Sequence, residues 1–349
     1  RDRSVSRGLG DVYKRQLAGG ARMSQRAGWV CAVLALLLGV TGLYALLIGR
    51  FMLPVESAFQ ALRGEGDPTA QHIVRMIRLP RVLTAILVGF ALGVSGALFQ
   101  SVSKNVLGSP DVIGFTTGAA TGAIIQIILF EGNPVAIVLS AMAGGFATAL
   151  LVYYLARHYG VVKGQRLVLM GIGVGAVLSA LNALLLVKGD IDNAVTATLW
   201  LAGTTQGRNW YHVAPVALSL LVLLPAIVLH ARAINIMAMG DDIASQLGVR
   251  VERTRRTVTF CAVTLAAVAT SATGPIAFIA LIAPQLALRL TRTPGLPVFS
   301  AGLAGSCLLL GADMLTQIQP LALTLPVGLM TGIIGGVYLL ILLLRMPSV

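Results

Sequence analysis

Long apolar runs alternate with short polar breaks along almost the whole chain. A helix needs about 20 mostly apolar residues to cross about 30 Å of hydrocarbon. Ten runs approach that length, at 28–49, 82–102, 113–130, 135–156, 167–187, 212–231, 257–272, 275–291, 297–316 and 325–344. The seventh and eighth are parted only around Ala272, Thr273 and Gly274, which leaves a single long span open there. The pattern predicts an all-α, polytopic membrane protein with about ten transmembrane helices. Glycines recur inside the runs, at Gly89, Gly93 and Gly96, at Gly171, Gly173 and Gly175, and at Gly302, Gly305 and Gly311. Small residues let helix backbones approach closely in lipid, so these predict a tightly packed bundle.

Composition agrees with this reading. Of 349 residues, 56% are hydrophobic and 11% charged, with a mean hydropathy of +0.86, whereas a soluble domain carries about 25% charged residues. The formal charge of +13 does not point to nucleic acid, because aromatic–basic interleaving is absent and the cations sit in short clusters between apolar runs. That placement encodes orientation. With the N-terminus inside, the cytoplasmic segments hold Arg22 and Arg26, Lys104, then Arg157, Lys163 and Arg166. They continue with Arg232, Arg250, Arg253, Arg255 and Arg256, then Arg289 and Arg292, and finally Arg345. The opposite side holds Glu131, Asp190 and Asp192, with Lys188 and Arg208 as exceptions. Both termini are therefore expected inside.

The opening stretch RDRSVSRGLGDVYKRQ is polar, charged and unpatterned, unlike the rest. No short apolar segment with a small-residue cleavage site follows it, so it does not read as a targeting signal. Residues 1–22 are expected to be non-native or disordered, with a natural start near Met23 and a single membrane domain over 23–349.

Catalytic signatures are missing. The chain has no GxxxxGK[ST] phosphate loop, no HExxH and no GxSxG, so no ATP site, catalytic residue or metal site is expected in it. His72, His158, His212 and His230 are scattered near helix ends, and Cys31, Cys261 and Cys307 lie within apolar runs without a CxxC pair. They read as interfacial polar groups and small buried hydrophobes. Asp313 stands almost alone as an intramembrane ionisable group, close enough to the external end to be hydrated. An ion-coupled carrier usually needs more buried charge near broken helices, so Asp313 reads as a structural hydrogen-bonding group.

Two segments invite partners. The first external loop carries Arg63, Arg75, Arg78 and Arg81 beside Glu56, Glu65 and Asp67. Pro80 suits the first turn of the helix that follows, but Arg81 there opposes the macrodipole by about 0.3–1 kcal/mol. The arginines thus ask for an anion, either phospholipid headgroups or an acidic protein surface. The longest internal segment is MAMGDDIASQLGVRVERTRR, 237–256. It predicts a short amphipathic helix from Asp241 to Leu247, with Asp241 and Asp242 in its first turn and Gly248 ending it. Such a helix suits docking onto a soluble partner or resting on lipid.

At this loop the sequence resembles the FecCD/vitamin B12-type permease family of ABC importers, through Gly240, Asp241, Asp242, Ala244, Leu247 and Gly248. RLPRVLTAILVGFALGVSGALFQ at 78–100, GSPDVIGFTTGAATGA at 108–123, GPIAFIALIAPQLALRL at 274–290 and LPVGLMTGIIGGVYLLILL at 325–343 extend the resemblance in family order. It implies a permease domain over 23–349 that pairs with a second permease subunit in the cytoplasmic (inner) membrane. It also implies a cytoplasmic ATPase dimer on the 237–256 loop, with ATP bound there and no cofactor on this chain. An external substrate-binding protein is expected to dock at Arg78 and Arg81. The chain departs from the family at Asn105-Val106, Pro284-Gln285, Gln317 and Thr324, where many members have Asn-Pro, Pro-His, an outer Arg and a Glu. With SPDVIGFTTGA, these departures resemble catecholate (enterobactin-type) siderophore permeases that form one half of a heterodimer. The expected function is ferric-siderophore import by alternating access along a path lined with small and polar residues. Cobalamin or haem transport by the same machinery is the alternative, and an ion-coupled carrier the more distant one.

Overall fold

The computed structural model describes residues 2–47, 53–110, 114–158, 161–162, 164–293, 295–317 and 325–344. Lys163, Thr324, Arg345 and the Asp111–Ile113 part of one family motif lie outside these residues.

Among the described residues, seven helices are long and apolar enough to cross a membrane and three shorter ones are apolar, one for each of the ten apolar runs. The spanning order begins with α1 (Asp2–Leu47), whose apolar part is Gln25–Leu47. A short helical arm follows, formed by α2 (Val55–Arg63) and α3 (Pro68–His72). Then come α4 (Leu79–Ser103), α5 (Phe115–Phe130), α6 (Pro134–Ala156) and α7 (Gly164–Lys188). After the short α8 (Ile191–Leu201) come α9 (Trp210–Met237), α10 (Asp241–Gln246) and α11 (Val251–Thr273). The chain ends with α12 (Ile279–Thr291), α13 (Val298–Gln317) and α14 (Val327–Leu344). A two-residue antiparallel pair, Arg157–His158 with Val161–Val162, turns the chain between α6 and α7.

Helices α4 and α11 form the buried centre, whereas most of α1, α6, α7 and α9 faces outward. Lipid supplies no hydrophobic force between helices, so close backbone approach has to hold the centre together. The glycines of α4 allow it. A Cβ on Gly96 would stand 1.7 Å from the carbonyl oxygen of Ala280 in α12, and one on Gly93 would stand 2.2 Å from that of Ala301 in α13. The contact is mutual, since a Cβ on Gly305 would lie 2.2 Å from the Gly89 carbonyl oxygen. Gly173 and Gly311 have open space instead, so the recurrence marks close packing at some positions and not at others.

The start of α4 differs from the sequence expectation. Pro80 does stand in the first turn of α4, as expected, but that turn does not follow a loop. Helical backbone already begins at Pro68, capped by Asp67 Oδ2, which accepts from Ala70 N at 3.2 Å. It then passes through one π-helical stretch, Ile73–Arg78, before α4. The wider turn absorbs the amide that Pro80 lacks. Arg81 therefore sits inside a continuous helix rather than at an open N-terminus, and the macrodipole argument does not apply to it.

Candidate functional site

Two charged networks mark the two ends of α4. Arg81 and Lys104 are separated by about 35 Å at a rise of about 1.5 Å per residue, which brackets a hydrocarbon layer of about 30 Å.

At the first end, Arg78 and Arg81 have different partners. Arg78 Nη1 donates to the carbonyl oxygens of Leu46 at 2.8 Å and Leu47 at 2.9 Å. These carbonyls lie in the last described turn of α1. Arg78 is only 7% exposed. Arg81 instead grips Asp313 of α13: Nε lies 3.2 and 3.1 Å from the two carboxylate oxygens, and Nη2 lies 2.9 Å from Oδ1. Its side chain keeps 19% exposure, against none for Asp313. The carboxylate also accepts from Thr205 Oγ1 and from Gln317 Nε2, the latter at 3.0 Å. Asp313 is therefore fully buried, not hydrated as its position near the helix end had suggested. A buried carboxylate persists when a cation and further donors compensate it, and three groups, Arg81, Thr205 and Gln317, do so here.

For Arg81 an anion thus lies within the chain, whereas the carbonyl partners of Arg78 are neutral. Arg75 is exposed and belongs to the same surface, where its carbonyl accepts from Trp210 Nε1 at 3.2 Å. Arg208 Nε donates to Thr204 O at 3.1 Å, and burial pushes its pKa down to about 10. Asn209 and His212 form a capping box at the start of α9, which gives that histidine a local structural role.

Thr205 belongs to a strap, 202–208, joining α8 to α9. Thr204 N donates to Thr273 O at 2.7 Å, and Gly328 N donates to Gly203 O at 3.1 Å. The strap thereby ties the end of α11 to the start of α14. Beside it lies a cavity of about 550 Å³, lined among others by Thr116, Ala202, Pro275, Ala277, Gly328 and Gly332. Its walls are mostly apolar, small residues alternating with Leu201, Leu329 and Ile333, and Thr116 contributes the hydroxyl.

At the other end, α10 forms where the Asp-Asp pair and the glycine place it. Gly248 takes φ +81, its N–H bonds Ser245 O at 3.0 Å, and Val249 N bonds Ala244 O at 3.0 Å. This double closure is a Schellman motif, which needs a left-handed residue at the glycine position. Ala244 is buried, whereas Met239, Ile243 and Leu247, spaced four apart, are exposed. One side of the helix is thus seated on the bundle while an apolar side faces outward. Asp241 fixes the seat by accepting from Arg255 Nη2 of α11 at 2.6 Å and from Lys104 Nζ at the end of α4 at 3.1 Å. Arg255 also pairs with Glu252. Burial acts to raise the Asp241 pKa, but the bonds from Arg255 and Lys104 outweigh it and hold the carboxyl below its usual range.

Sequence reasoning missed Thr205, Lys104 and Arg255 as members of these networks. A lone threonine in a polar segment gives no signal, and the two cations were read only as orientation charges. Gln100 and Gln285 form a further, part-buried link, with Gln285 Nε2 donating to Gln100 Oε1 at 2.6 Å. Gln285 is one of the positions that departs from the family pattern.

Comparison with known proteins fits this arrangement. The ferric enterobactin transport system permease protein FepG of Escherichia coli is 44% identical over 323 residues, covering 93% of this chain and 98% of that protein. The iron(3+)-hydroxamate import system permease protein FhuG of Bacillus subtilis is 36% identical, with 90% and 96% coverage. A solved metal-chelate type ABC transporter in an inward-facing conformation superposes with a TM-score of 0.82 at 26% identity, covering 91% of this chain and all of that one. The model of the FecCD transport family matches residues 36–345. Ten apolar helices among the described residues, together with similarity over most of the chain, lead to one assignment: the chain is a multi-pass membrane permease belonging to the FecCD transport family.

Proposed function

We propose that this chain forms one transmembrane half of an ATP-driven importer that carries a ferric siderophore, of the catecholate type, into the cytoplasm. The observation that carries the reading is the 44% identity to the ferric enterobactin permease over 93% of the chain. Energy comes from a partner ATPase dimer that meets α10. The exposed Met239, Ile243 and Leu247 give that partner an apolar surface, while Asp241, Lys104 and Arg255 hold the helix to α4 and α11. Displacement of α10 on ATP binding is then passed into the two most buried helices of the bundle.

The side of α10 is cytoplasmic and both termini lie inside, as the basic clusters indicate. The cavity beside the strap forms half of the translocation path. A second permease subunit, different in sequence from this one, completes the other half. Gln317 stands where many relatives carry an outer arginine, and its amide is occupied by Asp313. That cation is therefore supplied by the second subunit.

The external binding protein docks on the face that carries Arg75, Arg78 and Arg81. Arg81 is the group within reach, because Arg78 is committed to the end of α1. Cells lacking this permease test the substrate: uptake of iron-labelled catecholate complexes disappears on deletion and returns with the gene. Hydroxamate complexes, cobalamin and haem serve as comparison substrates. Restoration of one of those in place of the catecholate contradicts the assignment.

A further inference from the structure

We propose that Arg81 is a shared cation, for which buried Asp313 and an acidic group on the external binding protein compete, so that docking loosens the strap 202–208 over the cavity. The inference rests on reading the Arg78–Arg81 segment as the docking face.

Of the two arginines only Arg81 can serve. Arg78 is buried, and its Nη1 already donates to the Leu46 and Leu47 carbonyls in the last described turn of α1. Arg81 keeps partial exposure while its Nε and Nη2 hold Asp313. Its Nη1 makes no hydrogen bond to any described residue, which leaves a donor for an incoming carboxylate. A guanidinium presents five donors in a fixed fork, so a second carboxylate can engage before the first is released.

The far side of the pair is what makes competition consequential. Asp313 is closed in by Arg81, Thr205 and Gln317 with no exposure. When Arg81 turns toward an external acid, a fully buried carboxylate loses its only cation among the described residues. Burial is then the costly state, and the arrangement that hydrates Asp313 gains population. Thr205 is the Asp313 contact that lies in the strap between helices rather than in a spanning helix. Its neighbours carry the remaining strap bonds, Thr204 to Thr273 and Gly203 to Gly328, next to cavity residues Ala202 and Gly328. Opening the strap to hydrate Asp313 therefore works at the cavity wall.

Coupling between two sites is reciprocal. If docking withdraws Arg81 from Asp313, then removing the charge of Asp313 must strengthen docking. A purely structural role for Asp313 gives the opposite sign, since losing a buried partner disorders the docking face.

The test uses the full importer in lipid nanodiscs and the binding protein encoded with it, loaded with ferric siderophore. Asp313→Asn is expected to tighten docking by about five- to tenfold, within the usual range of coupling factors, and Arg81→Ala to weaken it. Docking on the wild type is expected to speed amide exchange across 203–208. This second measurement needs no variant, so poor folding of Asp313→Asn leaves a decisive readout. Equal or weaker docking by a folded Asp313→Asn importer overturns the competition, as does exchange across 203–208 that docking leaves unchanged. Wild-type docking by Arg81→Ala overturns the docking reading beneath it.

Discussion

Replacing Asp241 with asparagine tests how α10 is joined to the bundle, because it removes one charge and keeps the shape. Two interactions are at stake. The bond to Lys104 joins side chains that are each 44% exposed, and pairs of that kind contribute at most about 1 kcal/mol. The bond to Arg255 involves a cation only 7% exposed at 2.6 Å, and a hydrogen bond to a charged group contributes about 1.5–3 kcal/mol. Glu252 remains on Arg255 after the change, and the asparagine oxygen still accepts one neutral bond. The net loss is about 1–2 kcal/mol, a factor of about 5–30 between seated and unseated α10. ATP hydrolysis should survive in the reconstituted importer while substrate moved per ATP falls by a comparable factor. Amide exchange across 241–249 should rise, and Asp241→Glu should recover most of the loss. Unchanged exchange together with unchanged transport per ATP in Asp241→Asn would refute the view that this carboxylate seats the helix.

Other outcomes follow from the same geometry. The Asp241 pKa is depressed in the folded protein, so its stabilising contribution is complete above the unfolded value of about 3.9 and is lost as pH falls through the folded value. Transport should therefore show no titration from this group between about pH 5 and 8, which a pH series on wild type and Asp241→Asn can check. Ile243→Ser with Leu247→Ser alters only exposed positions of α10. The pair should leave the melting temperature within about 2 °C and weaken ATPase recruitment in pull-down assays at least tenfold, the scale expected when about 1.4 kcal/mol of apolar contact is removed. Gly96→Ala drives a Cβ to 1.7 Å from a backbone oxygen, whereas Gly332→Ala enters open space. The first should cost about 1–3 kcal/mol or more of stability, and the second should leave the melting temperature in detergent unchanged.

The ten apolar runs were readable in the sequence because spanning helices must be long and apolar throughout. α10 was readable for a different reason, since the acidic first turn and the glycine at the end are local signals that the structure uses. Helix starts were less readable. α11 begins at Val251 rather than 257, because the charged stretch Glu252–Arg256 is helical before it becomes apolar, and hydropathy does not register a polar turn. The arm Val55–His72 was taken as loop for the same reason, and the 11-residue helix Ile191–Leu201 is too short to register as a spanning run. Arg78 and Arg81 were expected to face an outside anion, a phospholipid headgroup or an acidic protein surface, and the partners that the structure gives them lie within the chain. The acceptors themselves were hidden, one set being backbone carbonyls of α1 and the other a carboxylate 232 residues away. Pairing across that distance is a property of the packed helices and leaves no trace in spacing.

The central claim is that this permease moves ferric siderophore inward on energy supplied by a partner ATPase. Proteoliposomes containing the permease, its second subunit and the ATPase, with the loaded binding protein outside, measure it directly. Iron-labelled catecholate should accumulate inside only when ATP is enclosed on the α10 side, and an uncoupler should not reduce it. Accumulation without ATP, or its collapse when an imposed ion gradient is dissipated at constant ATP, would contradict the account.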